Sequence, residues 1–162
     1  MDSLINLGSL CLKNDDVDLA LTYLLKAYGQ EKNNFKLNNN LGNAYLKKEK
    51  YTEAVDFFLA VLKSNEISKE DEDTARENLA KAYSSAKKWD EAGAVYAQIV
   101  KNDKTNYNAM IDYAKVLMQK GDFVTAGDYL SIVKEKKPFL RAEEVNQLLE
   151  GIESGSSSVY EK

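Results

Sequence analysis

Leu41-Gly42-Asn43-Ala44-Tyr45, followed by Tyr51, Ala54, Phe58 and Val61, is the stretch on which the reading of this chain turns. Leu41, Ala44 and Tyr45 are three and four residues apart, the spacing that gathers apolar side chains on one face of a helix. Lys47-Lys48-Glu49-Lys50 then interrupts the pattern, and Tyr51, Ala54, Phe58 and Val61 resume it with the same period. The segment therefore predicts two amphipathic helices joined by a short polar turn. Aligning Ala54 with Ala20, Ala92 and Ala126 gives spacings of 34, 38 and 34 residues, and the remaining columns fall into place. Thirteen residues before each alanine stand Leu7, Leu41, Leu79 and Tyr113. Beside them are the small Gly8, Gly42, Ala80 and Ala114, and then Cys11, Tyr45, Tyr83 and Leu117. The second helices carry Val17, Tyr51, Trp89 and Phe123 at their starts, and Leu24, Phe58, Tyr96 and Leu130 farther on.

This set of columns resembles the tetratricopeptide repeat (TPR), a helix–turn–helix unit with a period near 34 residues. The resemblance implies an all-α, right-handed α-solenoid of four hairpins, at about 1–34, 35–68, 69–106 and 107–138. Residues after Pro138 repeat an apolar stripe, Val145, Leu148, Leu149 and Ile152, so a capping helix is expected over about 140–153, covering the apolar face of the last hairpin. Residues 1–153 then form one domain and 154–162 a flexible tail. Asn38 and Arg76 depart from the family pattern, replacing a large apolar residue early in the first helix of their repeats, and are expected to loosen packing. The long third spacing lies in SNEISKEDED (64–73). Ser68 with Asp71 reads as an N-terminal capping box, so the extra four residues add about one helical turn and keep the faces in register. This acidic extension is either solvated or a docking point for a basic partner.

Composition narrows the function. The chain has 162 residues, is 44% hydrophobic and 30% charged, and contains no His, one Cys and one Pro. The absence of His removes Ser-His-Asp and Cys-His catalysis and histidine-ligated metal sites. One cysteine forms no internal disulfide. A net charge of −4 argues against nucleic acid as a partner. No apolar run is long enough for a membrane span, and the first residues lack a secretory leader, so the chain as written reads as cytoplasmic. Ser84-Ser85-Ala86-Lys87 matches S-x-x-K without its companion motifs. Asp15, Asp16 and Asp18 lack the spacing of a calcium loop. Cys11 and Trp89 fall in core columns. No enzyme activity, metal or cofactor is expected.

Solenoids bind along their concave side, so the site is sought on the groove-facing side of each first helix. Counting from Met1, Phe35, Asp73 and Tyr107, the sixth position reads Asn6, Asn40, Asn78 and Asp112. A carboxamide offers both acceptor and donors, so it can satisfy the N–H and C=O of one extended peptide unit. A similar asparagine ladder in other tetratricopeptide proteins implies that these four hold a ligand's backbone. Asn39, Asn43, Glu77, Lys81, Asn108 and Lys115 are expected to set side-chain preference, with Ile5, Leu12, Leu46, Ile111 and Met118 as apolar surface. The family's clamp for a chaperone's C-terminal carboxylate does not fit, because Asn39, Asn108 and Asp112 stand where it requires cations. The expectation is an adaptor binding an extended peptide segment of another protein. The alternatives are a self-assembly module pairing as a homo-oligomer or with a neighbouring domain through its first hairpin, and the targeting domain of a larger enzyme.

Overall fold

A computed structural model of the chain describes residues 1–65 and 67–154. Among these residues all regular structure is helical: α1 (Asp2–Lys13), α2 (Val17–Tyr28), α3 (Phe35–Lys47), α4 (Tyr51–Leu62), α5 (Lys69–Ser85), α6 (Trp89–Asn102), α7 (Tyr107–Gln119), α8 (Phe123–Lys136) and α9 (Ala142–Glu153). The helices follow the expected order, two per repeat and one after the last. They divide into two compact units, Met1–Lys88 and Trp89–Lys162. Of the expected tail, Ser154 is the C-cap of α9, and residues 155–162 lie outside the described residues.

In the first unit α1 packs on α2, α3 on α4, and each second helix on the next first helix. The small column is what allows this closeness. A Cβ on Gly8 would stand 2.5 Å from Leu24 Cγ, and one on Gly42 would stand 2.6 Å from Phe58 Cε1. Leu24, Leu37, Leu41 and Phe58 are fully buried around them. Aromatic residues fill the gap between the first two hairpins: Tyr45 stacks on Phe57 at 5.4 Å, and Tyr28 meets the same ring edge-on at 5.5 Å. Leu7 departs from its column. It is 43% exposed whereas Leu41 is 0% exposed, because α3 has a preceding hairpin to pack against and no described helix plays that part for α1.

Asn38 serves as a polar tether. It is buried, and its Nδ2 donates to the carbonyl of Lys32 at 3.0 Å, tying down the loop that precedes α3. Arg76 instead pairs with Glu72 and Asp73 on its own helix. The extra turn of α5 is present. Ser68 Oγ accepts from the Asp71 N–H at 3.1 Å and donates to Asp71 Oδ2 at 2.7 Å. α5 accordingly runs 17 residues, where the other helices run 12–14.

Side chains also set the starts of α2, α3, α7 and α8. Asp16, Asn34, Asn106 and Asp122 each accept from an N–H of the first turn of the following helix, satisfying a donor the helix cannot satisfy itself. The turn inside each repeat has one residue at positive φ: Asp15 (63°), Glu49 (60°), Lys87 (58°) and Gly121 (83°). Only the last has the residue type that adopts this conformation without steric cost.

In the second unit α6 packs on α7, α7 on α8, and α8 on α9. Ala126, Leu130 and Val133 of α8 are fully buried, and Val145 and Leu148 of α9 are nearly so. The stripe read from the sequence is thus the face α9 buries, and α9 covers the last hairpin as expected.

Candidate functional site

In the first unit the groove-facing sides of α1, α3 and α5 enclose a cleft of about 220 Å³. It brings together three of the expected residues, Asn6, Asn39 and Asn40. Each first helix turns by about 100° per residue, so positions five and six of α3 face the cleft while Leu37 and Leu41, on the opposite side, fill the core. Asn39 and Asn40 are half-buried, whereas Asn6 is exposed. The side-chain Oδ1 of Asn39 is buried and accepts no hydrogen bond.

The cleft also contains residues the sixth-position argument did not select. Phe35 and Lys36 come from the first turn of α3, and Asp71 and Thr74 from the extended start of α5. Thr74 holds the second position of its repeat, as Lys36 does, so only Asp71 was legible through the insertion. One added turn keeps the helix faces in register and lengthens α5, so Asp71 joins Thr74 in a wall of the cleft. Asn43, Glu77 and Asn78 are half-buried and Lys81 is exposed, and none of these four lines it.

The second unit treats the same positions differently. Asp112 Oδ1 accepts from Arg141 Nη2 at 2.9 Å. Arg141, the N-cap of α9, also donates through Nε to Glu144 Oε2 at 2.6 Å and through Nη2 to Glu144 Oε1 at 2.9 Å. Lys115 Nζ donates to Glu144 Oε1 at 3.1 Å. The Arg141 hydrogen bond, reinforced by Lys115, holds the Glu144 carboxyl below the usual range, while Glu144 and then Asp112 keep the Arg141 guanidinium charged. Asp112 and Lys115 are therefore engaged within the chain. Asn108 is exposed.

Of the residues expected to supply apolar groove surface, Ile5 lines the cleft, whereas Ile111 and Met118 do not. Ile5, Ile111 and Met118 are buried. Ile5 belongs to the core cluster with Leu24, Leu37 and Leu41, being covered by α3. Leu12 and Leu46 remain half-buried. Cys11 is half-buried against the same cluster, and Trp89 is also half-buried. Among the described residues no group of three or more His, Cys, Asp or Glu is placed to hold a metal ion. No described helix is long and apolar enough to cross a membrane.

One tetratricopeptide repeat model matches residues 5–68 and 39–109, and a second matches 83–150. The chain belongs to the tetratricopeptide repeat family. No curated protein matches it, but many solved structures share its fold. It is similar to a chain of the APC/C hetero-tetramer Cut9–Hcn1, with 22% identity and a TM-score of 0.81 over 92% of this chain. It spans 29% of that relative's length. YrrB, described as a TPR protein with an unusual peptide-binding site, is 19% identical with a TM-score of 0.71, over 93% of this chain and 84% of its own. A tetratricopeptide repeat protein from Parabacteroides merdae is 20% identical with a TM-score of 0.77, over 95% of this chain and 60% of its own. At these identities the likeness establishes the fold.

Proposed function

We propose that this TPR protein is a non-catalytic cytoplasmic adaptor that binds an extended peptide segment of a partner protein along the groove-facing sides of its first helices. The observation that carries this reading is the cleft in which Asn6, Asn39 and Asn40 converge from two consecutive repeats. Their carboxamides can donate to peptide carbonyls and accept from peptide N–H groups without regard to ligand sequence. YrrB, with the same fold, is described as having a peptide-binding site, which supports the reading by analogy of fold.

Asn78, Asn43, Glu77 and Lys81 would extend contact along the first unit. Asp112 and Lys115 would contribute only after exchanging their bonds to Arg141 and Glu144, and Asn108 is unengaged by comparison. We therefore assign the working part of the ladder to the first unit.

The test uses fluorescence anisotropy with pools of labelled ten-residue peptides of randomised sequence. Asn6→Ala with Asn40→Ala removes two neutral hydrogen-bonding groups, each worth roughly 0.5–1.5 kcal/mol. Binding of the retained peptides should weaken by about 5- to 150-fold, with helicity by circular dichroism unchanged. Undiminished binding by the double variant would move the site off this groove. Self-association through α1 and α2 is the second reading, favoured by the exposure of Leu7, Leu10 and Leu25. It predicts a concentration-dependent sedimentation coefficient that Leu7→Lys abolishes.

A further inference from the structure

Within the groove, and resting on the reading just given, we infer that the cleft between α1, α3 and the added turn of α5 is a specificity pocket for a cationic side chain of the ligand, an arginine above all. Three observations converge on that chemistry.

The first is the carboxylate of Asp71. Glu72 pairs with Arg76, and Asp73 with Lys69 and Arg76, but Asp71 has no cation partner among the described residues. Its Oδ2 is held by the Ser68 hydroxyl, which fixes the carboxylate on the cleft wall and leaves Oδ1 for a ligand. The second is unspent acceptor capacity on the facing wall. Asn39 Oδ1 is shielded from the cleft and receives no hydrogen bond, a condition that costs free energy and that rotation of the carboxamide toward a donor in the cleft would relieve. The guanidinium group has five N–H donors and no acceptor, matching a cleft that pairs a carboxylate with carboxamide oxygens.

The third is the Phe35 ring. The chain's own Lys36 ammonium stands 6.0 Å from its centroid, so the face of this ring already attracts a cation. Lys36 is exposed, on a long flexible side chain that can withdraw into water. Asp71 is short and hydrogen-bonded in place. The fixed electrostatics of the cleft are thus those of the acceptors, and the aliphatic stem of a ligand arginine can lie along Phe35 while its head reaches Asp71. The insertion in the third repeat acquires a role on this account, since the wall that carries Asp71 is the turn it adds.

The experiment uses ten-residue peptide pools with one central residue fixed as Arg, Lys, Ala or Glu and the rest randomised, titrated against the whole chain. Wild type should bind the Arg pool about tenfold more tightly than the Ala pool, the range of a charge-assisted hydrogen bond. The Lys pool should fall between them and the Glu pool last. Asp71→Asn should level the four pools while leaving Ala-pool binding intact. Asp71→Glu, which retains both the charge and the capping box, should keep the order. Lys36→Met should widen the preference for Arg. Equal binding of all pools by wild type, or an Arg preference that survives Asp71→Asn, overturns the pocket. If Asn6→Ala with Asn40→Ala then still weakens every pool, only the pocket is wrong and the groove stands. If binding is indifferent to those asparagines as well, both fail.

Discussion

The two ends of the molecule solve one structural problem with different residues. In the repeat frame Arg141 stands where Phe35 stands, Asp112 where Asn6 stands, and Lys115 where Ser9 stands. Between α1 and α3 the residues are an aromatic ring, carboxamides and a hydroxyl, and a cleft remains. Between α7 and α9 they are charges of both signs, drawn into a network of Arg141, Asp112, Glu144 and Lys115. Neutral polar groups can wait for a ligand because water satisfies them at modest cost. Opposite charges a few ångströms apart find each other first. Equivalent positions in one repeat family are therefore not equivalent sites.

The largest expected effect separates the two ends through their small column. Gly42→Ala would drive a methyl group into Phe58, whereas the second unit already carries Ala114 in that column. Overpacking costs about 1–3 kcal/mol, and the loss should appear in urea unfolding followed by circular dichroism. Because α3 bears Asn39 and Asn40, peptide binding should fall with it. A variant as stable as wild type would mean that α3 and α4 slide apart freely and that the cleft is not rigid.

Arg141→Ala tests the closed end. It leaves Asp112 without its 2.9 Å partner and Glu144 with Lys115 alone. These groups are partly exposed, so the expected loss is about 1 kcal/mol or less, concentrated in α9 and visible as faster amide exchange there. The pH dependence has a definite sign. The folded-state pKa of Glu144 is lowered, chiefly by Arg141. Its stabilising contribution is present above the unfolded carboxyl value of about 4.3 and is lost as pH falls through the lower folded value. The variant should lose less stability than wild type across that acid range.

The smallest effect lies in the turns. Glu49 and Gly121 hold the same place in their repeats at φ 60° and 83°. Glu49→Gly should raise stability by about 0.5–1 kcal/mol, the relief of a left-handed conformation less the entropy glycine loses on folding. A drop would show that Glu49 makes up for its backbone strain elsewhere.

Much of this was determined by the order of residues alone. Periodicity in Leu41–Ala54 and its recurrence define the helices, because a helix that hides one apolar stripe must repeat it every turn. Gly8 and Gly42 announce close helix contacts, and Ser68 with Asp71 announces the added turn, since both depend on neighbours along the chain. The sixth-position asparagines were legible for the same reason, as residues on the polar side of a helix whose other side is core.

Only tertiary structure decided which of those positions face open space. Ile111 is on the expected side of its helix yet buried, because the approach of neighbouring helices sets how wide the groove is. Asp112 and Lys115 look like ligand-binding groups until Arg141 and Glu144, 29 residues away, are brought against them. Asp71 acquires meaning only beside Phe35 and Asn39, on a different helix. Helical periodicity assigns a residue to a face, and long-range packing determines what that face meets.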